Sequence, residues 1–559
     1  MAALSGRDQF FEVARSEGAR YLFANPGTTE LPIFDELADE TGIELILALQ
    51  EATAVAAADG YAQATRRPSL VNLHIAPGVA NGLGNIFNAM WNRSPVVVTA
   101  GQQNTNQLIQ EPMLAADLVR MTEQFCKWSY EVERPEDIGI AMRRAFKVAA
   151  AAPQGPVFLS IPWNYLDETT DTTIPARSRI EDGAVAAPEG LKEAARRLLD
   201  AEKPLIVAGD EVARTGAVED LVALAEAVGA RVVGEVLHSR MVFPMDHPLW
   251  SGMLPPVNSG IRAVLEQADV ALVAGAVMFP PFFYNPVGAV PDGVEIIQID
   301  PDPYQLAKTY PVGLGLRGDL GASVRALLAE VRAQLSDDRR AALAERVQGY
   351  GSAREGAIAG MKAAVEAQMQ MNPVSSFAAC AAIADAFDTP TSVVDESVTA
   401  TAGVRAALRN REPDSYFFFK GGGLGWGIPA SVGVQLAQPD RKVVAIVGDG
   451  ATNYVPQSLW TLAHHDLPVT VVVLNNGGYY ILKSQLLGMN QKALKFDKWP
   501  GMDIADPSVD FMSLARAYGV PSERVEKGSE ITSAVRKAMG SGGPFLLEVP
   551  VDGTIKPMG

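Results

Sequence analysis

Short apolar runs bounded by Gly, Pro, Asn or Asp recur along this chain, and no other feature restricts its fold as much. They fall at 21–23, 44–49, 69–73, 96–100, 157–161, 205–208, 270–274, 295–299, 443–447, 469–474 and 545–549. Runs this short and this apolar suit strands buried on both faces, and segments between them, such as 138–150 and 190–199, have helical periodicity. Parallel strand pairs need crossover connections, so strands alternating with helices imply parallel sheets covered by helices on both sides. The expected class is α/β, with doubly wound parallel sheets.

At 559 residues the chain is too long for one hydrophobic core. Two stretches read as boundaries. Residues 167–187 are polar and Thr-rich, like a linker, and the Ala-, Arg- and Glu-rich helical stretch 326–362 precedes a new α/β series after Met371-Asn372-Pro373. Three domains are therefore expected, at 1–170, 188–335 and 372–559. With 47 Lys and Arg against 65 Asp and Glu, the net charge of −18 argues against a nucleic-acid partner, which would need clustered cations. The two cysteines, Cys126 and Cys380, lie far apart, which leaves neither a zinc ribbon nor a disulfide framework. The N-terminal segment reads as an amphipathic helix without a signal-peptide core, and no uninterrupted apolar stretch of about 18 residues occurs. The expectation is a cytoplasmic protein with no membrane partner.

The most informative segment is 443–478, VVAIVGDGATNYVPQSLWTLAHHDLPVTVVVLNNGG. One buried strand ends in Gly448-Asp449-Gly450, a helix follows, and a second buried strand ends in Asn475-Asn476-Gly477-Gly478. In a parallel βαβ unit both strand ends lie on the same sheet edge, so Asp449 and Asn476 face one crevice. A carboxylate, an amide oxygen and a nearby backbone carbonyl, assigned to Gly478, make a hard-oxygen half-shell for Mg²⁺, which leaves its other positions to phosphate and water. The glycines allow close approach of a diphosphate, and the helix after Gly450 turns its N–H groups toward it. Gly-Asp-Gly by itself is commonly no more than a strand-end turn. Followed 27 residues after Asp449 by Asn476 at the end of the next strand, it is the signature of thiamine diphosphate enzymes.

The resemblance to that superfamily extends over essentially the whole chain, and within it the chain is most similar to the benzoylformate decarboxylase branch. The residues that carry it are Asn25-Pro-Gly-Thr-Thr-Glu-Leu-Pro32, Leu47-Ala-Leu-Gln-Glu-Ala52, Ala58-Asp-Gly-Tyr-Ala-Gln-Ala64, Asn72-Leu-His74, Lys127-Trp-Ser-Tyr130 and Gly422-Gly-Leu-Gly425, together with 94–103 and the 443–478 segment. It implies a pyrimidine-binding first domain, a central domain of different topology and a diphosphate-binding third domain. It also implies an active site completed between subunits, hence a homo-oligomer, at least a dimer and commonly a tetramer.

Residue by residue, Glu51 matches the glutamate that bonds N1′ of the cofactor's aminopyrimidine; on its own, a carboxylate at a helix start simply suits the helix dipole. Gly422 matches the carbonyl that accepts from the 4′-amino group, and Leu424 the wedge between the cofactor rings. Asp449, Gly450, Ala451, Asn476, Gly478 and Tyr479 complete the expected cofactor site, with Asp449, Asn476 and Gly478 on Mg²⁺. His74 matches a histidine that assists proton transfers, although a histidine after an apolar strand is more often structural. Thr28 stands where a substrate-binding serine is found in the branch. Three positions depart from the pattern. Phe282 replaces a second active-site histidine supplied by the central domain, Ile481 is bulkier and Gln485 more polar than the branch has, and all three are assigned to the substrate pocket. The expected reaction is decarboxylation of a 2-oxo acid to an aldehyde. Carboligation or C–C cleavage through the same enamine is the alternative, and a flavin-containing acetolactate synthase or pyruvate oxidase relative a further one.

Overall fold

The computed structural model describes residues 3–555 except 40, 182, 283, 488, 490 and 491. Positions 1–2 and 556–559, the outer ends of the first and third expected domains, lie outside the described residues. Three six-stranded parallel sheets form, with two strand orders among them. Numbered along the chain, the first sheet (Tyr21–Ala24, Glu44–Leu47, Ser69–Leu73, Val96–Gln102, Ser129–Glu131, Val157–Pro162) runs 2-1-3-4-6-5. The third (Thr391–Glu396, Tyr416–Phe418, Lys442–Gly448, Val469–Asn475, Ser522–Arg524, Phe545–Pro550) has the same order. The central sheet (Pro204–Ala208, Arg231–Gly234, Trp250–Met253, Val270–Ala274, Glu295–Asp300, Leu314–Arg317) runs 3-2-1-4-5-6.

All eleven apolar runs are strands. The strands that the apolar pattern misses are short or polar: Ser129–Glu131 and Ser522–Arg524 are three-residue strands, and Thr391–Glu396 is buried throughout yet reads TSVVDE. The stretch 326–362 belongs to two helices, Leu320–Gln334 and Asp337–Met369, separated where Ser336 caps the second by accepting from the Arg339 N–H. In 443–478 the expected helix is divided into Asp449–Thr452 and Ser458–His464, because Pro456 offers no N–H to continue a helix through it. No helix among the described residues is long and apolar enough to cross a membrane.

The chain forms two compact units. One contains residues 181–385 and 400–418, with the central sheet and its helices; the other contains 1–180, 386–399 and 419–557. In the second unit, helix Glu51–Thr65 of the first sheet lies along helix Gly427–Ala437 of the third. Their sequences, EATAVAAADGYAQAT and GIPASVGVQLA, are rich in small side chains, which lets the backbones touch. A Cβ on Gly433 would lie 1.8 Å from the Ala57 carbonyl oxygen, and one on Gly60 2.2 Å from that of Ala430. Beside this contact the buried Asp59 carboxylate accepts from Trp426 Nε1 (2.7 Å) and Asn92 Nδ2 (2.9 Å), so the apolar seam carries one satisfied polar tie.

Gly433→Ala should therefore destabilise the protein by about 1–3 kcal/mol through overpacking. Gly356→Ala, in a helix where the added Cβ meets open space, should be neutral or slightly stabilising. Thermal denaturation of the two variants side by side checks this; equal Tm values would show that the seam tolerates separation.

Candidate active site

The first sheet and the elements after its strands place two predicted residues, Glu51 and His74, near each other. Strand Ser69–Leu73 ends at His74, which is also the N-cap of helix Ile75–Trp91. The next residue, Ile75, is fully buried with φ +37°, a conformation that costs a β-branched residue strain and is held only where its surroundings impose it. One such constraint is Glu30, whose Oε1 accepts from the Ile75 N–H (3.3 Å) and the Gly101 N–H (2.8 Å). The other carboxylate oxygen of Glu30 lies 2.8 Å from His74 Nδ1. That fully buried carboxylate holds the imidazole above its ordinary range; burial of the ring opposes this, and Glu51 adds a smaller push in the same direction. His74 is thus fixed in orientation by a carboxylate that the sequence reading had not singled out. Its ring lies against Gly27, where a Cβ would fall 1.9 Å from Nδ1.

Glu51 opens helix Glu51–Thr65 and is buried. Its two oxygens accept from different amides, Oε1 from Asn25 Nδ2 (3.3 Å) and Oε2 from Asn81 Nδ2 (3.0 Å). Thr28 is exposed on the short turn Thr28–Glu30, while its neighbour Thr29 is buried and approaches His74 Nδ1 at 3.4 Å.

The third sheet places the second group. Gly448 and Leu474 are register partners, which brings the ends of strands Lys442–Gly448 and Val469–Asn475 level. Asp449 Oδ2 accepts from the Gly477 N–H (2.9 Å), and Asn476 Oδ1 accepts from the Gly478 N–H (3.1 Å). Burial pushes the Asp449 carboxyl up to about 6, while surrounding backbone N–H groups pull the other way. Ala451 is buried next to it, and Gly450 lies under the Tyr479 ring. Hard oxygens from a carboxylate, an amide and a backbone carbonyl, in a place where a carboxylate lacks solvation, suit a small divalent cation. The residues present fit Mg²⁺.

Turn 421–427 leads into helix Gly427–Ala437, with Gly422 exposed at φ +78° and Leu424 half-buried. Two side chains fix it. Asn88 donates through Nδ2 to the Gly423 carbonyl (2.7 Å) and accepts at Oδ1 from the Gly423 N–H (3.0 Å). Glu396, also buried, accepts from the N–H groups of Gly425 (2.6 Å), Trp426 (3.1 Å) and Gly427 (2.6 Å). Its carboxyl is pushed up to about 7, burial outweighing those bonds.

Ile481 and Gln485 share a face of helix Tyr480–Leu487, one turn apart. Phe282 belongs to the other unit, on the loop after strand Val270–Ala274, where it is 64% exposed and its N–H donates to Pro256 O (3.3 Å). Of the remaining histidines, His464 is exposed and stacked on Trp460, and His465 Nε2 accepts from the Leu47 N–H (3.0 Å), which gives both structural places. Residues that sequence reasoning missed are Glu30, Glu396 and a row of asparagines at 81, 85, 88 and 92. The row did leave a signal, because asparagine is a poor helix-interior residue and recurs here with one-face spacing in helix Ile75–Trp91 and at its C-cap.

Glu30→Gln should lower the His74 titration midpoint, since the anionic partner that favours the protonated ring is gone; the neutral, nucleophilic ring then persists to lower pH. The pH dependence of carbethoxylation at His74, followed by peptide mass spectrometry, measures this. An unmoved midpoint would remove Glu30 from control of the ring.

Comparison with known proteins identifies the family. Residues 4–120 match the N-terminal TPP binding domain of thiamine pyrophosphate enzymes, 191–327 their central domain and 397–549 their C-terminal TPP binding domain. Benzoylformate decarboxylase of Pseudomonas aeruginosa is 34% identical, over 98% of each chain. An acetolactate synthase large subunit of Parasynechococcus marenigrum is 27% identical, over 98% of this chain and 88% of the relative. Among solved structures, a thiamine diphosphate-dependent 4-hydroxybenzoylformate decarboxylase of Rhodococcus jostii RHA1 superimposes with TM-score 0.86 at 28% identity, covering 99% of this chain and 100% of the other. With its three sheets, its Asp449–Asn476 edge and these full-length relatives, the chain belongs to the thiamine pyrophosphate enzymes.

Proposed function

We propose that the protein is a thiamine diphosphate- and Mg²⁺-dependent lyase that decarboxylates a 2-oxo acid to an aldehyde, working as a homo-oligomer. The observation that carries this reading is the grouping of Glu51, held by two amides, with His74, held by Glu30, at the C-terminal edge of the first sheet. When bound, the cofactor supplies the electron sink that takes up the electron pair released with CO₂. Glu51 holds a proton at N1′ of the aminopyrimidine, and its two amide donors keep the carboxyl in place for that exchange. Gly422 would offer its carbonyl to the aminopyrimidine and Leu424 would pack against the cofactor rings, while Asp449, Asn476 and Gly478 would hold Mg²⁺, with Gly450, Ala451 and Tyr479 beside it. His74 moves protons to and from the substrate oxygen and carbon, the Thr28 hydroxyl receives the substrate carboxylate, and Ile481 and Gln485 shape the side-chain pocket.

A flavin-dependent reading has less physical support. At the switch point of the central sheet, where dinucleotides bind in such folds, Glu235 accepts from the Asp210 N–H (2.8 Å) and the Val277 N–H (3.0 Å). Asp210 in turn accepts from the Ser239 N–H (2.7 Å) and its hydroxyl (2.8 Å). The N–H groups of Asp210 and Val277, which could otherwise face a pyrophosphate, are thus taken by Glu235.

A panel of aryl and aliphatic 2-oxo acids, with added thiamine diphosphate and Mg²⁺, should yield CO₂ and aldehyde from at least one member. Glu51→Gln should lower that turnover by about 10²–10⁴-fold. CO₂ release from none of the acids, or full activity in Glu51→Gln, would overturn the assignment.

Phe282 carries a second expectation. A phenyl ring cannot deliver a proton where the branch has an imidazole, so the protonation that yields free aldehyde should be slow relative to carbon–carbon bond formation with an added aldehyde. Acyloin should therefore form in appreciable proportion, and Phe282→His should shift products toward aldehyde with cofactor affinity nearly unchanged. Product analysis with excess acceptor aldehyde measures the ratio; an unaltered ratio would leave Phe282 a packing role.

A further inference from the structure

Turn 421–427 has no regular hydrogen-bond ladder of its own, yet it bears the two residues that would face the aminopyrimidine and the ring junction. Its position is set from outside by two buried side chains on different elements. Asn88, on helix Ile75–Trp91, grips the Gly423 peptide from both sides, so displacing this one side chain would free an N–H and a carbonyl together. Gly421 and Gly423 fit against it closely, each leaving no more than 3.2 Å between a built Cβ and the Asn88 amide. Glu396, at the end of strand Thr391–Glu396, gathers three successive N–H groups at the start of helix Gly427–Ala437. The stretch between these two anchors is Leu424, and Gly422 immediately precedes the first.

We propose that Asn88 and Glu396 are positioning residues that together set where the Gly422 carbonyl and the Leu424 side chain stand. The assignment rests on the reading that Gly422 and Leu424 meet thiamine diphosphate. Asn88 also places this control on the first sheet's elements. Asn81, two turns earlier on the same helix face, donates to Glu51, and Asn85 between them donates to the Ala52 carbonyl (2.9 Å) and the Gly425 carbonyl (3.3 Å). One helix face therefore references both the Glu51 carboxylate and the turn to a single rigid element.

The test uses the full-length protein with and without thiamine diphosphate, comparing wild type with Asn88→Ala and Glu396→Gln. Without cofactor, amide hydrogen exchange in 421–427 should rise at least about tenfold in both variants, while strand 443–447 stays as protected as in wild type. Thiamine diphosphate Kd, by calorimetry, should rise about ten- to a hundredfold, the equivalent of losing one or two hydrogen bonds to a fixed group. At saturating cofactor, kcat should fall while substrate KM changes little. Asn88→Asp, which keeps the acceptor for the Gly423 N–H, should recover part of the lost affinity. Should either first variant fail to fold, Asn88→Ser and Glu396→Asp replace them.

Unchanged exchange in 421–427, or a uniform rise over all segments with an unaltered Kd, would overturn the proposal and leave only a structural role. Failure of the wild-type protein to bind thiamine diphosphate would instead overturn the cofactor reading. The exchange result would then still decide whether the two side chains fix the turn.

Discussion

The placement of both cofactor-facing elements of this chain depends on two helices whose backbones come into contact. Helix Glu51–Thr65 starts with the carboxylate proposed to activate the cofactor, and helix Gly427–Ala437 starts at the end of the turn proposed to bend it. Because Gly60 and Gly433 leave no room for a side chain between them, the two N-termini hold a fixed separation without relying on loops. Dense packing transmits displacement, so precision at the site is inherited from an apolar contact well behind it. Further ties secure the same relation: Thr53 and Ser458 hydroxyls lie 3.0 Å apart, and Leu47 bonds through its N–H to His465 and through its carbonyl to Thr461.

Several buried carboxylates around this contact share a mode of satisfaction. Glu51 is held by side-chain amides, Asp59 by an indole and an amide, Glu396 and Asp449 by backbone N–H groups. Neutral donors satisfy the oxygens without fully compensating the lost hydration, which is why Glu396 and Asp449 sit above the ordinary carboxylate range. A carboxyl poised this way responds to an arriving proton or cation. An arginine partner would have locked it in the ionised state.

Much of this was legible in the residues. Every long apolar strand could be read because burial on both sheet faces demands a continuous run, and the Asp449–Asn476 edge followed from parallel βαβ geometry alone. The short edge strands were not legible, since a three-residue strand such as Ser129–Glu131 with polar ends has no periodicity to read. Thr391–Glu396 escaped for a different reason: its last two residues are polar, Glu396 serving the turn at 425–427 and Asp395 accepting from Ser397, so local bonding overrode the pattern of a buried strand. Glu30 stood inside a quoted motif, but nothing in one sequence says that its carboxylate and the His74 ring, 44 residues apart, meet. The asparagine row was visible as spacing, and its meaning depended on knowing what packs against that face.

The first and third sheets share one strand order, and the helices that meet are counterparts, each following the second strand of its own sheet. Each helix presses a glycine against the other's backbone, Gly60 on Ala430 and Gly433 on Ala57, so the two faces are constrained reciprocally: neither helix can gain bulk at its glycine without the pair moving apart.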